Sequence, residues 1–391
     1  MPTPSTPSHP GLSPAAPSRD RHVPYPFPDT GIAVVGRLIG FFSFDVGAEI
    51  DLDRARTLLP ATTTDRAARR AAPTYIGHTT RPVHAALGEH PATLGATPVT
   101  MTAEMVVHEV GAITIVLTTP LTCDVAALPA LTATLTGAGP LEAVARALLE
   151  EQRGRLAPAV SKPAMAMVVE DYYVIQADRL DPPVAIAEFL EHGRGPLAAA
   201  LRCEPEPLSA AEVDDTLRAA LSYYPTDVVI SDWNVTVLVD PDPRDALDVL
   251  EYLNIQLLEL RYFDGLLDRE LAASFALTAT RARPLPLWNA ALQRAIDELA
   301  TVRLEVVSMV ERLHNAFKVG GDVYLAKLHT RTAERLGLRA WEESVQRKLD
   351  VLQLRYSLVL ERVRAARSEL LEITIVGLVA LELIVILAGW G

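Results

Sequence analysis

A chain of 391 residues with 49 acidic against 36 basic side chains, a formal net charge of −13, is not built to coat nucleic acid along its whole surface. Its apolar fraction of 49% is ample for two domains with real cores. The two cysteines, Cys123 and Cys203, lie far apart, make no metal or redox spacing, and fit a reducing cytoplasm.

Residues 1–30 hold nine prolines and no apolar run. They read as a disordered or polyproline-like tail, not as a signal peptide or an amphipathic transit helix. From Gly31 short apolar runs begin. "GIAVVGRLIGFFSFDVG" reads as one or two strands, and Ala103–Cys123 as a hairpin turning near Glu109–Gly111. A strand follows from Ala164, and Asp227 opens a strand pair that turns at Asp232–Asn234. Helices are predicted between them at Leu141–Gln152, Pro183–His192 and Ala210–Leu221, the last capped by Ser209. The pattern over 31–240 is an α+β cytoplasmic domain with a largely antiparallel sheet.

After Pro241 the strands stop. Residues 241–369 are apolar at helical spacing, broken by Pro284 and Pro286, with a second long helix from Leu287 and a stop at Gly320–Gly321. This predicts a long helical hairpin or coiled-coil stalk. The clearest periodicity runs through Leu349, Leu352, Tyr356, Val359 and Val363, an unbroken alternation of three- and four-residue steps. It continues through Gly377, Ala380 and Ile384, small residues where backbones approach.

The stretch 370–390 would span roughly 31 Å as a helix, close to a hydrocarbon core of about 30 Å. It reads as one C-terminal transmembrane helix with a single intramembrane acid, Glu382, which must be neutralised, paired or hydrated. Arg362, Arg364 and Arg367 just upstream place the N-terminal domain in the cytoplasm. The expectation is a tail-anchored, single-pass protein of a bacterial inner membrane, with the lipid bilayer as a partner.

Chemistry-bearing motifs are sparse. His78, His84 and His90 recur at six-residue intervals, too wide for a zinc knuckle, and no metal is expected. No P-loop, dinucleotide-binding turn or nucleophile elbow is present, so no cofactor is expected. An enzymatic alternative would place its site in the sheet domain around His108, Glu170 or Asp232.

The stretches "DWNVTVLVDPDPRDALDVLEYLNIQLLELRYFDGLLDREL", "GGDVYLAKLHTRTAERLGL" and "RKLDVLQLRYSLV", with the final apolar run, resemble the membrane-anchored family required for meiotic nuclear division and its YagE-like relatives. That resemblance implies an α+β domain, a helical hairpin, a C-terminal membrane helix and homo-oligomers that tether a translation-related partner. It carries no catalytic residue across. The function expected from residues and resemblance together is a non-enzymatic, oligomeric scaffold with a protein or RNA partner on its cytoplasmic side. The alternative is a membrane-tethered hydrolase or nucleotide-binding enzyme.

Overall fold

A computed structural model describes residues 27–59, 76–77, 81–137, 139–163, 168–279, 300–304, 306–307, 318–319 and 322–388, with side chains for most of them. The Pro-rich stretch before residue 27, Gly320–Gly321 and Trp390 lie outside the described residues, and the helix expected from Leu287 is described only at 300–304 and 306–307, where the chain is helical.

The chain opens with β1 (Ala33–Asp45), β2 (Gly47–Ile50) and α1 (Leu52–Leu58). After β3 (Ile76–Gly77), three long strands follow, β4 (Val83–Leu94), β5 (Thr97–Val107) and β6 (Ala112–Asp124). Next come α2 (Leu128–Thr132), α3 (Pro140–Leu156), β7 (Val160–Pro163) and β8 (Val169–Asp181). Helices α4 (Ile186–His192), α5 (Arg194–Leu201) and α6 (Ala210–Leu217) lead to β9 (Val228–Ser231) and β10 (Val235–Val239). Among the described residues there follow α7 (Arg244–Ala279), β11 (Lys318–Val319), α8 (Val323–Arg335) and α9 (Leu338–Ala388).

Seven strands form one sheet in the order β4-β5-β6-β1-β8-β10-β9. Neighbours are antiparallel except β8 and β10, which run parallel with Val235 opposite Tyr173. The short α4–α6 segment provides the crossover that a parallel pair requires.

Strand period decides the layers, because alternate side chains point to opposite faces. Leu38, Phe42 and Phe44 of β1 join Met105, Ile115, Tyr173 and Val237 in a core covered by α1–α5. Ile39 and Phe41 point the other way and join Val116, Tyr172, Val174 and Leu238 under α7, α8 and α9. The sheet is thus sandwiched between two helical layers, as a sheet buried on both faces must be.

The second layer is held by α7 and α9, which run parallel. Gln256 contacts Glu342, Lys348 bonds to Asp264 and Asp268, and Arg355 donates to Ser274, so both helices advance in the same direction. Leu349, Leu352 and Tyr356 are buried in this seam. The side chains of Val359 and Val363 lie outside the described residues.

Among the described residues no helix is long and apolar enough to cross a membrane. This corrects the expected transmembrane helix over 370–390, and with it the tail anchor and the single-pass inner-membrane location.

Candidate functional site: a cleft at the sheet end and a bare helical arm

Because β8 and β10 are parallel, both begin at the same end of the sheet. There the first residues of β8 and the turn between β9 and β10 line a cleft of about 230 Å³. Glu170 and Asp171 come from β8, Trp233 and Asn234 from the turn, Leu257 and Arg261 from α7, and Trp341 from α9.

Glu170 lies second in β8, opposite Ser43 of β1, on the face that α7 covers. Its carboxylate is buried and accepts from Arg261 Nη1 at 2.9 and 2.6 Å. Its backbone oxygen accepts from Asn254 Nδ2 at 3.0 Å, and the same amide donates to Ser43 Oγ at 3.0 Å. Ser43 in turn shares a hydrogen bond of 3.0 Å with Thr114. A row of small hydroxyls across β6 and β1 thus lets a polar helix residue reach through to β8, which fixes the start of that strand beneath α7.

Burial pushes the Glu170 carboxyl up to about 7; Arg261 pulls it back and Asp171 pushes it further up. Asp171 is raised as well, chiefly by burial, with a hydrogen bond from Tyr173 opposing. The Arg261 guanidinium lies 5.8 Å from the centroid of the Trp341 ring, a cation–π distance. Trp233 is 47% exposed.

Asp232 sits just behind this turn. Its Oδ1 accepts from Trp233 N at 2.7 Å and from Arg202 Nη1 at 3.1 Å, so the carboxylate shapes the turn and anchors α5. Tyr172 donates to the Asp232 backbone oxygen at 2.9 Å, and its hydroxyl lies 2.8 Å from Thr236 Oγ1. His108 is elsewhere: its Nε2 lies 3.0 Å from Glu251 Oε1, about 15 Å along α7 from Arg261. The structure therefore brings Glu170 together with the turn after Asp232 and leaves His108 out. His84 pairs with Glu104 at 3.0 Å and His90 with the Leu87 carbonyl at 3.0 Å; His78 lies outside the described residues.

Sequence reasoning missed Arg261 and Trp341. Arg261 did leave a signal, as a lone cation after the apolar run Leu257–Leu260, where only Glu259 is charged. Nothing in the sequence links it to Glu170, 91 positions earlier.

The second feature is the distal part of α9. That helix has 51 residues, roughly 77 Å, whereas α7 has 36, roughly 54 Å. With Arg355 beside Ser274, α7 is described for about one further turn, to Ala279. From Leu371 to Val385 every residue is exposed, Ile373 at 68% and Val376 at 67% among them. Gly377, Ala380, Glu382 and Ile384 all lie in this bare stretch. A Cβ built on Gly377 meets nothing within 4 Å.

Comparison with known proteins places this architecture in a family. The family model described as the N-terminal domain of uncharacterized protein MJ0711 matches residues 35–246, from β1 to the first turn of α7. Uncharacterized protein MJ0711 of Methanocaldococcus jannaschii is 26% identical over 202 residues, which cover 51% of this chain and 61% of that protein. No solved structure matches the chain. These findings overturn the resemblance to the meiotic-nuclear-division and YagE-like family. The stretches around Asp322–Leu328 and Lys348–Val359 lie outside the matched region, and long Leu-rich helices recur in many unrelated proteins.

Proposed function

The chain belongs to the family of the MJ0711 N-terminal domain, and from that premise we propose that it is a non-enzymatic scaffold whose α/β body assembles with further copies through its helical arm. The observation that carries this reading is the uncovered apolar surface from Leu371 to Val385. Burying five such side chains is worth on the order of 10 kcal/mol, comparable to the stability of a whole domain. A surface of that strength in water draws a partner.

The partner is a second copy because of register. One stripe of α9, Leu349, Leu352 and Tyr356, packs against the parallel helix α7 of its own chain. The same heptad stripe runs on through Gly377, Ala380 and Ile384, past the described length of α7. Two arms meeting along this stripe make a self-complementary interface with parallel helices, the arrangement a two-fold dimer uses. The cleft, in this reading, binds rather than transforms: Glu170 is tied to Arg261, and no Ser, Cys, Lys or His is among its described lining residues.

Analytical ultracentrifugation of the full chain and of a chain ending at Glu369 tests the proposal. The full chain is expected to sediment as a dimer or larger and the shortened chain as a smaller species. Equal masses for the two would overturn it.

A further inference from the structure

We infer that the cleft at the sheet end is a binding site for a small organic cation, an alkylammonium or guanidinium compound. Its lining carries two carboxylates, Glu170 and Asp171, against one cation, Arg261, which Glu170 already neutralises. Glu142 of α3 also acts on Asp171, although Arg146 pairs with it at 2.7 Å, so Asp171 is the acid left for a ligand. An anion would find no uncompensated positive group among these walls, whereas a cation finds Asp171.

Aromatic surface supplies the second half of the recognition. The wall formed by Trp341 already holds a guanidinium, that of Arg261, over its ring while Glu170 takes the hydrogen bonds. This is the chemistry a bound cation would meet, an indole face next to a carboxylate. Trp233 brings a further indole to the same cleft and is the wall the fold leaves half in water. The volume of about 230 Å³ lies below the range of sites for drug-sized molecules, so the ligand is small. Asn234, also in the lining, is buried with its backbone oxygen spent on Tyr173 N at 3.0 Å, which holds the turn rigid.

Isothermal titration of the full chain with agmatine and with putrescine, against inorganic phosphate, tests this. At least one amine is expected to bind and phosphate is not. Trp233→Leu, at an exposed position that leaves the core intact, is expected to weaken amine binding roughly tenfold. Asp171→Asn should weaken it as well. Binding should tighten from mildly acidic to mildly basic solution as Glu170 ionises, with Arg261 on α7 and Asp171 on β8 the charged groups that set its field. Absence of amine binding, amine binding that Trp233→Leu leaves unchanged, or phosphate binding lost in Arg261→Gln would each overturn the inference. None of these outcomes bears on assembly through the arm, whose removal should leave amine affinity unchanged.

Discussion

His108 and Glu251 meet at 3.0 Å, joining the turn between β5 and β6 to the start of α7. Both side chains are largely buried, and the backbone nitrogen of His108 donates to the Ala112 carbonyl at 3.0 Å, which closes the turn. Burial by itself would raise the Glu251 carboxyl. The hydrogen bond and charge of His108, the charge of His84 and a bond from Thr114 outweigh it and hold Glu251 below its ordinary range.

Removing one member of that pair leaves the other buried and uncompensated. His108→Ala is expected to cost roughly 3 kcal/mol, read from urea unfolding. The double variant His108→Ala/Glu251→Leu is expected to recover part of the loss, since the stranded carboxylate is gone. Because the folded pKa of Glu251 is depressed, its contribution is present above the unfolded value of 4.5 and lost as pH falls through the folded one. A wild-type protein as unstable as His108→Ala at neutral pH would show that the pair contributes nothing.

Glu170 has the opposite sign. Its folded carboxyl is raised to about 7 from 4.5, so the native state holds the proton more tightly than the unfolded chain. Stability is then full below the unfolded value and falls as pH rises through 7, by an amount of roughly 3 kcal/mol. Glu170→Gln imitates the protonated acid. It should match the wild type only below the unfolded value of 4.5 and exceed it by roughly 3 kcal/mol in mildly basic buffer. If Gln is the less stable protein at basic pH, the bond to Arg261 outweighs the burial of the charge.

The turn between β5 and β6 makes a sharper test of backbone than of charge. Gly111 has φ +95°, a conformation that side chains rarely adopt, and a Cβ there would lie 1.9 Å from the Gly47 carbonyl oxygen. That oxygen belongs to the first residue of β2, and Val46 N, between β1 and β2, bonds to Gly111 O at 3.0 Å. Gly111→Ala combines backbone strain with a collision that neither chain segment can relieve alone. A loss of more than about 2 kcal/mol is expected in thermal or urea unfolding. A variant within a few tenths of the wild type would mean that the two loops separate easily.

The same turn shows what a sequence reveals of such a fold. Glu109–Gly111 stands between two β-rich runs, and Asp232–Asn234 between two others, so both turns are legible from turn chemistry and strand period. Ser209 reads as a cap, and its side chain does accept from Glu212 N. Pairing partners far apart in the chain leave no such mark. The parallel match of β8 with β10 depends on how α4–α6 cross over, and the parallel packing of α7 with α9 on contacts such as Lys348 with Asp264. The cleft was half legible: Glu170 and the Asp232 turn stood out as polar residues in apolar strands, while Arg261 and Trp341 reach it only through the packing of α7 and α9. The apolar tail misled for a related reason. Hydropathy reports that a helix needs a covered surface, and it does not report what covers it.

Gly377 offers a way to interrogate that cover without disturbing the fold. A Cβ at this position meets open space, and its neighbours Val376, Leu378 and Val379 are exposed as well. Gly377→Leu therefore changes nothing inside one chain except helix propensity, which improves by roughly 1 kcal/mol. Unfolding of the α/β body should be unaffected. Between two chains the effect is different, because Gly377 and Ala380 lie on the stripe where backbones would approach most closely. A leucine there separates the arms by the width of a side chain and forfeits contact along the neighbouring turns. The expected result is an unchanged unfolding midpoint in dilute solution together with a dimer that dissociates at a higher protein concentration, read by sedimentation equilibrium. Should Gly377→Leu associate as tightly as the wild type, the Gly377–Ala380 stripe is not the interface, and the arms would have to meet through another face such as that of Ile375 and Leu378.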